Sequence, residues 1–447
     1  MTNGSQDPKP ASVPPKAKQA GEAEARADVP HDAPFHAEPT VWTEPMLRAL
    51  AQGVKGGRWF SLIDKVRSPK TLQAAWERVY ANHGAGGVDG QTVEQFASDV
   101  GVHLGVLHER LKDGTYAPHP VRRVHIPKAG GGLRPLGIPV IRDRVVQTAL
   151  RFVLEPIFEA EFRPRSYGFR PGRGCKDALR EVDRHLRAGY RHVVDVDLKS
   201  FFDTIPHDRL MTEVRKKVAD GAVLKLVEAY LKQDVFDGLK AWTPEQGTPQ
   251  GAGISPLLAN VYLHPLDRRM EDAGYVMVRY ADDFVVLCRQ RAEAERALEE
   301  IRAWTEAAGL TLHPEKTRMT HVDAPGGFEF LGYRFERNQR WPRAKSKQKF
   351  RDAIRAKTPR LHGDSLTAVI ASLNPTLRGW FAYFKHSSGL ADADGFVRRR
   401  LRAILDWRRT GKSINRAGAP QSRWPNAYFA GIGLFSLEQA RLELAAR

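Results

Sequence analysis

The period of apolar positions changes several times along the chain, and each change predicts an element. From Ile141 to Glu159 the residues Val145, Val146, Ala149, Leu150, Val153, Leu154 and Ile157 recur at helical steps, so this stretch reads as a helix with one stripe in a core. Ser68-Pro69 offers an N-cap Ser and a Pro at the first helical position, opening a helix that ends near His83-Gly84. Thr92 to Gln95 is a capping-box pattern for a helix running towards Asp113-Gly114. Val121 to Pro127 and Arg134 to Pro139 predict two strands joined by the glycine loop 128–132. Tyr190 to Asp197 predicts a strand with Asp195 and Asp197 on one face. Helices are expected at about 207–219, 221–233 and 291–308, and from Ser255 to Gly274 with a kink at Pro265. Val276 to Cys288 alternates apolar, β-branched and aromatic residues around two adjacent acids, a hairpin with Asp282 and Asp283 at or beside its turn.

Composition narrows the class. No run approaches the roughly 18 apolar residues of a membrane span. Lys and Arg number 70 against 52 Asp and Glu, a net charge of +18, which favours a polyanionic partner and nucleic acid first. That charge lies outside residues 1–40, a Pro- and Ala-rich stretch without apolar periodicity that reads as a disordered tail. From Arg334 to Arg360 there are eleven basic residues and two acids, Glu336 and Asp352, so a domain boundary is expected near 335. Two distant cysteines, Cys175 and Cys288, exclude a disulfide framework and a Cys-x-x-Cys zinc site and suit a reducing cytoplasm.

The candidate chemistry begins with the paired acids. Two neighbouring anions on a buried hairpin repel each other unless a cation takes up the charge, and hard oxygen ligands suit Mg²⁺. Asp197 stands 85 residues before Asp282 (282 − 197), also at the end of an apolar strand. If the two strands are neighbours, three carboxylates meet at one sheet edge. Phosphoryl transfer to a nucleic-acid 3′ end uses such an edge, with two metal ions roughly 4 Å apart. The glycine loop flanked by Lys128 and Arg134 is a candidate triphosphate cradle. Arg163 to Gly174 interleaves cations, aromatics and glycines, a composition suited to phosphates and stacked bases.

Blocks in fixed order carry a resemblance across residues 60–390. They are Arg134 to Pro139, Ser166 to Pro171, Asp197 to Asp203, Pro249 to Gly251 with Ser255-Pro256, Tyr280 to Asp283, Pro314 to Thr317 and Phe330 to Tyr333, followed by Asn374 to Phe384. With them the chain resembles the reverse transcriptase/maturase encoded by bacterial group II introns, and Arg423 to Phe429 with Gly433-Leu434 is similar to a tail of some lineages. The resemblance implies an α+β right-hand polymerase with fingers, an antiparallel-sheet palm and a helical thumb. The expected divisions are a tail at 1–40, fingers and palm at 41–335, the thumb or maturase domain at 336–400 and a basic extension at 401–447.

It also implies roles. Asp197, Asp282 and Asp283 would be the catalytic carboxylates holding two Mg²⁺ ions, with the Leu198 carbonyl adding an oxygen. Between Asp195 and Asp197, the resemblance favours Asp197, the carboxylate five residues before Phe202, as the ligand. Phe202 would be the steric gate against a ribose 2′-hydroxyl, and Lys128, Arg134, Gln250 and Lys316 would line the nucleotide site. Nucleic acid would be held by Arg170, Arg173, Gly332, Tyr333, Arg343, Lys345, Lys347, Lys349 and Arg378. The implied partners are an RNA template, intron RNA, a DNA primer or target, and dNTPs. Family members often continue into a His/Cys-containing endonuclease. None follows before Arg447, so an endonuclease-lacking type is expected. Two rival readings stand beside this one: an RNA-binding splicing maturase with dispensable polymerase activity, and a host-adopted reverse transcriptase in phage defence. Primer extension on a generic RNA separates the first, and neighbouring intron RNA domains the second.

Overall fold

The computed structural model describes Glu38 and residues 41–127, 132–337, 339–359, 363–411 and 423–446. The expected N-terminal tail and Lys128 lie outside the described residues, apart from Glu38. Eleven strands are described: β1 (Val121–Pro127), β2 (Leu133–Ile138), β3 (His192–Asp197), β4 (Val235–Asp237), β5 (Lys240–Trp242), β6 (Val276–Tyr280), β7 (Asp283–Cys288), β8 (Arg318–His321), β9 (Phe328–Phe330), β10 (Tyr333–Glu336) and β11 (Gln339–Pro342). The chain divides into two compact units. The first takes residues 1–126, 135–161 and 205–261; the second takes 127–134, 162–204 and 262–447.

In the first unit, helix Ile141–Glu159 is the axis, and its apolar stripe is fully buried at Val145, Val146, Ala149, Leu150, Val153 and Leu154. Helix Pro69–Ala81 packs along it through Leu72, Ala75, Trp76 and Val79. The capping box forms as the sequence dictates, with Thr92 Oγ1 accepting from the Gln95 N–H and Gln95 Oε1 from the Thr92 N–H. The helix it opens is not continuous: Asp99 leaves helical geometry (φ −131°, ψ 36°) and separates Val93–Ser98 from Val100–Lys112. β1, β2, β4 and β5 form one sheet in the order β2-β1-β4-β5. The β4–β5 hairpin is too short to show a period in the sequence.

The second unit is built on an antiparallel sheet in the order β6-β7-β3-β8. One face buries Val193, Val278, Val285 and Leu287 against Leu179, Val182 and Leu186 of helix Cys175–Arg187 and against Phe328, Phe330 and Phe335. Helix Arg291–Ala307 packs against β3 and β7. β9, β10 and β11 make a second antiparallel sheet, and helices Ala344–Lys357, Leu366–Phe384 and Leu390–Thr410 follow. Leu401, Ile404, Phe429 and Leu437 share one core with Val369 and Leu373, so these described residues after 400 pack with this bundle. Asn374 ties that end down, donating to the Gly433 carbonyl and accepting from the Phe435 N–H. Two blocks that are distant in sequence are thus direct partners.

Candidate active site

The acidic residues meet through strand register. In the β3–β7 pairing Asp197 lies directly opposite Asp283, and Asp195 opposite Val285. Directly paired residues on antiparallel strands have Cα atoms about 4.5–5.5 Å apart and side chains on one face. Asp282 precedes Asp283 in the β6–β7 turn, which Ala281 opens in a left-handed conformation (φ 59°). Three acids from two segments therefore gather at one edge, with Asp195 one step behind.

The electrostatics are those of crowded anions. Asp283 is exposed at the head of β7. Loss of surrounding water, then Asp195 and Asp282, push its carboxyl up to about 7, with Arg343 opposing. Burial also pushes Asp195 up to about 6, against the pull of Arg318, whose Nε lies 3.5 Å from its carboxylate. Asp282 is raised by burial and by Asp197, against its own backbone N–H, Arg134 and Arg279. Asp197 is paired with Lys316, whose Nζ lies 3.1 and 3.2 Å from its two oxygens. Among the described residues no three His, Cys, Asp or Glu side chains form a ready cage for one ion. Carboxylates at the edge of a sheet nonetheless fit a hard divalent cation such as Mg²⁺, which keeps waters and takes one or two protein carboxylates plus substrate phosphates. The like charge that Asp197 puts on Asp282, and that Asp195 and Asp282 put on Asp283, is what a divalent cation would relieve.

A buried fork that sequence reasoning missed fixes the turn. Arg279 on β6 is fully buried, and its Nε donates to Asp267 Oδ1 at 2.7 Å while Nη2 donates to Asp267 Oδ2. Nη1 donates to the Ala281 carbonyl at 2.9 Å, and Nη2 also donates to Ser166 Oγ at 2.7 Å. An arginine inside an otherwise apolar strand was the available signal. The Ser166–Arg170 loop is laced to the same strand, with the Tyr167 N–H donating to the Arg279 carbonyl at 2.9 Å and the Arg279 N–H to the Arg165 carbonyl at 3.0 Å. Gly168 has to be glycine, because a Cβ there would overlap the Ala281 backbone nitrogen.

The other expected residues divide. Phe202 is half-buried, its ring edge-on to Phe201 at 5.4 Å and to Phe169 at 6.2 Å. Arg134 and Lys316 are exposed. Gln250 lies in the first unit, on a loop fixed by the Gly137 N–H donating to its carbonyl at 2.6 Å and by the Gly253 N–H donating to Gln147 Oε1 at 2.7 Å. Leu198 is buried and bridges to Leu312.

Two expected nucleic-acid contacts are turned inward. Arg170 is buried, and its Nη1 donates to the Arg163 and Ser166 carbonyls, both at 2.6 Å, so it closes its own loop. Tyr333 is buried with its hydroxyl donating to the Tyr383 carbonyl, because the alternation of β10 points it into the core. Arg173 is half-buried and donates to the Pro164 carbonyl at 2.6 Å. Gly332 (φ 82°) accepts from the Arg343 N–H. Lys345, Lys349 and Arg378 are exposed, whereas Arg343 and Lys347 are half-buried. Burial, helped by Arg334, lowers the Lys347 pKa.

Comparison with known proteins identifies what this edge belongs to. Residues 126–335 match the reverse transcriptase (RNA-dependent DNA polymerase) family, and residues 347–424 match the group II intron maturase-specific domain. Protein YkfC of Escherichia coli (strain K12) is 35% identical over 319 residues, 62% of this chain and 83% of that protein. The chain belongs to the reverse transcriptase family. It is an RNA-directed DNA polymerase joined to a maturase domain, and both parts imply RNA binding and nucleic-acid substrates. The group II intron-encoded protein LtrA of Lactococcus lactis subsp. cremoris is 38% identical over 203 residues, 45% of this chain but only 33% of LtrA. The retron Mx65 reverse transcriptase of Myxococcus xanthus is 29% identical over 316 residues, 64% of this chain and 69% of that protein. Reverse transcriptase domains use divalent metal ions, in keeping with the carboxylate edge. No helix among the described residues is long and apolar enough to cross a membrane.

Proposed function

We propose that this reverse transcriptase extends a DNA primer on an RNA template at the Asp197–Asp282–Asp283 edge, using dNTPs and two Mg²⁺ ions. Asp197 and Asp282 are the principal ligands, Asp283 supports them, and the Leu198 carbonyl adds an oxygen. Bound there, the ions would sharpen the attacking 3′-hydroxyl and neutralise charge on the leaving pyrophosphate. Lys316 and Arg134 supply positive charge for the triphosphate, joined by Lys128, and Gln250 lines the nucleotide pocket. Phe202 excludes a ribose 2′-hydroxyl. Exposed Lys345, Lys349 and Arg378, with Arg343 and Lys347, grip template or intron RNA, and through the maturase domain the chain assists splicing and mobility of its intron. The observation that carries this reading is the register Asp197↔Asp283 with Asp282 adjoining. Asp282→Asn should lower primer extension by about 10³-fold or more, the scale of losing a group that acts on transition-state charge. RNA affinity should stay within about 2-fold, since little binding energy is at stake there. Retained synthesis would remove the metal role.

A further inference from the structure

The Ser166–Arg170 loop presents a feature that the proposed roles above leave unused. Phe169 adopts a left-handed backbone (φ 60°), which a bulky side chain rarely adopts, and its ring is 45% exposed. Strain of this kind persists only where the surroundings impose it. Here they do. Gly168 rests against Ala281 in the turn before Asp282, Tyr167 is bonded to the Arg279 carbonyl, and Arg170 is locked by two carbonyls of its own loop. Both neighbours are fixed, and the Phe169 ring stands edge-on to Phe202 at 6.2 Å and 77°. Phe202 follows Asp197 by five residues, so Phe169 is held by the Asp282 side of the edge and touches the aromatic on the Asp197 side.

We propose that Phe169 is a specificity-determining positioning residue, the buttress that holds the Phe202 ring in the orientation that excludes a 2′-hydroxyl. This rests on the reading of Phe202 as the sugar gate. Removing the Phe169 ring takes away one of the two aromatic contacts described for Phe202, leaving that with Phe201, and gives the gate ring room to swing away from an incoming ribose. An edge-to-face aromatic pair contributes about 0.5–1.5 kcal/mol, which corresponds to a rise of about 2- to 13-fold in the rNTP:dNTP ratio of kcat/KM.

The test measures single-nucleotide extension with matched rNTP and dNTP for the full chain carrying Phe169→Ala, Phe169→Gly, Phe169→Tyr or Phe202→Val. The Ala and Gly variants should raise the ratio by that amount, and Gly additionally relieves the backbone strain, so agreement between them assigns the effect to the ring. Phe169→Tyr should restore the parental ratio. Once Phe202 is Val, Phe169→Ala should change the ratio by less than about 2-fold, the non-additivity expected of residues acting as a unit. A purely structural role would lower both substrates together and leave the ratio unmoved; that result, with Phe202→Val still relaxing selectivity, overturns the buttress alone. If Phe202→Val leaves the ratio unchanged, the gate lies elsewhere and the proposal falls with it.

Discussion

Replacing Arg279 by Met separates the stability of the palm from the geometry of its acidic turn. Arg279 is fully buried and Asp267 is 4% exposed, so the substitution strands a carboxylate away from water. Removing one partner of a buried pair costs about 3–5 kcal/mol. In a unit of this size each kcal/mol moves the midpoint by about 2–4 °C, so thermal unfolding should fall by about 6–20 °C. Asp267→Leu in the Arg279→Met background removes the stranded charge and should recover most of that loss. It cannot restore the donors that Arg279 gives to the Ala281 carbonyl and Ser166 hydroxyl. The double variant should therefore be stable but slow, with primer extension well below the parent at a temperature where both are folded. Unfolding is followed by circular dichroism and synthesis by primer extension. A midpoint shift under about 2 °C for Arg279→Met would contradict the energetic argument, and full activity in the double variant would contradict the positioning one.

Other consequences follow from the same geometry. Because the Asp283 carboxyl is raised to about 7 in the folded chain, the native state holds that proton longer than the unfolded one, and stability from this group falls as pH rises from about 4 to about 7. In EDTA, Asp283→Asn should flatten the decline of the unfolding midpoint over that window, and added Mg²⁺ should raise the parental midpoint more at pH 8 than at pH 5.5; a midpoint insensitive to both would count against the crowded-anion picture. Gly168→Ala drives a Cβ into the Ala281 backbone nitrogen and should cost about 1–3 kcal/mol together with most of the polymerase activity, read by denaturant titration and primer extension. Joint Ala substitution of the exposed Lys345, Lys349 and Arg378 should weaken RNA binding and lower the slope of log affinity against log salt by about 2–3, as counted by released counterions. An unchanged slope would move the RNA grip to another surface.

The sequence by itself determined the elements that bury a simple stripe and the chemistry that sits at their ends. The Ile141–Glu159 helix, the Asp282–Asp283 hairpin and the Thr92–Gln95 cap follow from periodicity and local hydrogen bonding, which act over a few residues. The ordered motifs named the family because each is local. Tertiary structure decided what depends on partners far along the chain. The register setting Asp197 opposite Asp283 is an inter-strand choice, and the inward turn of Arg170 and Tyr333 follows from the packing of their own loop and sheet. The Asp267–Arg279 fork and the Phe169–Phe202 contact join residues with no shared local pattern. A one-dimensional pattern records which faces are apolar; which charge meets which is settled when separate segments compete for the same buried space.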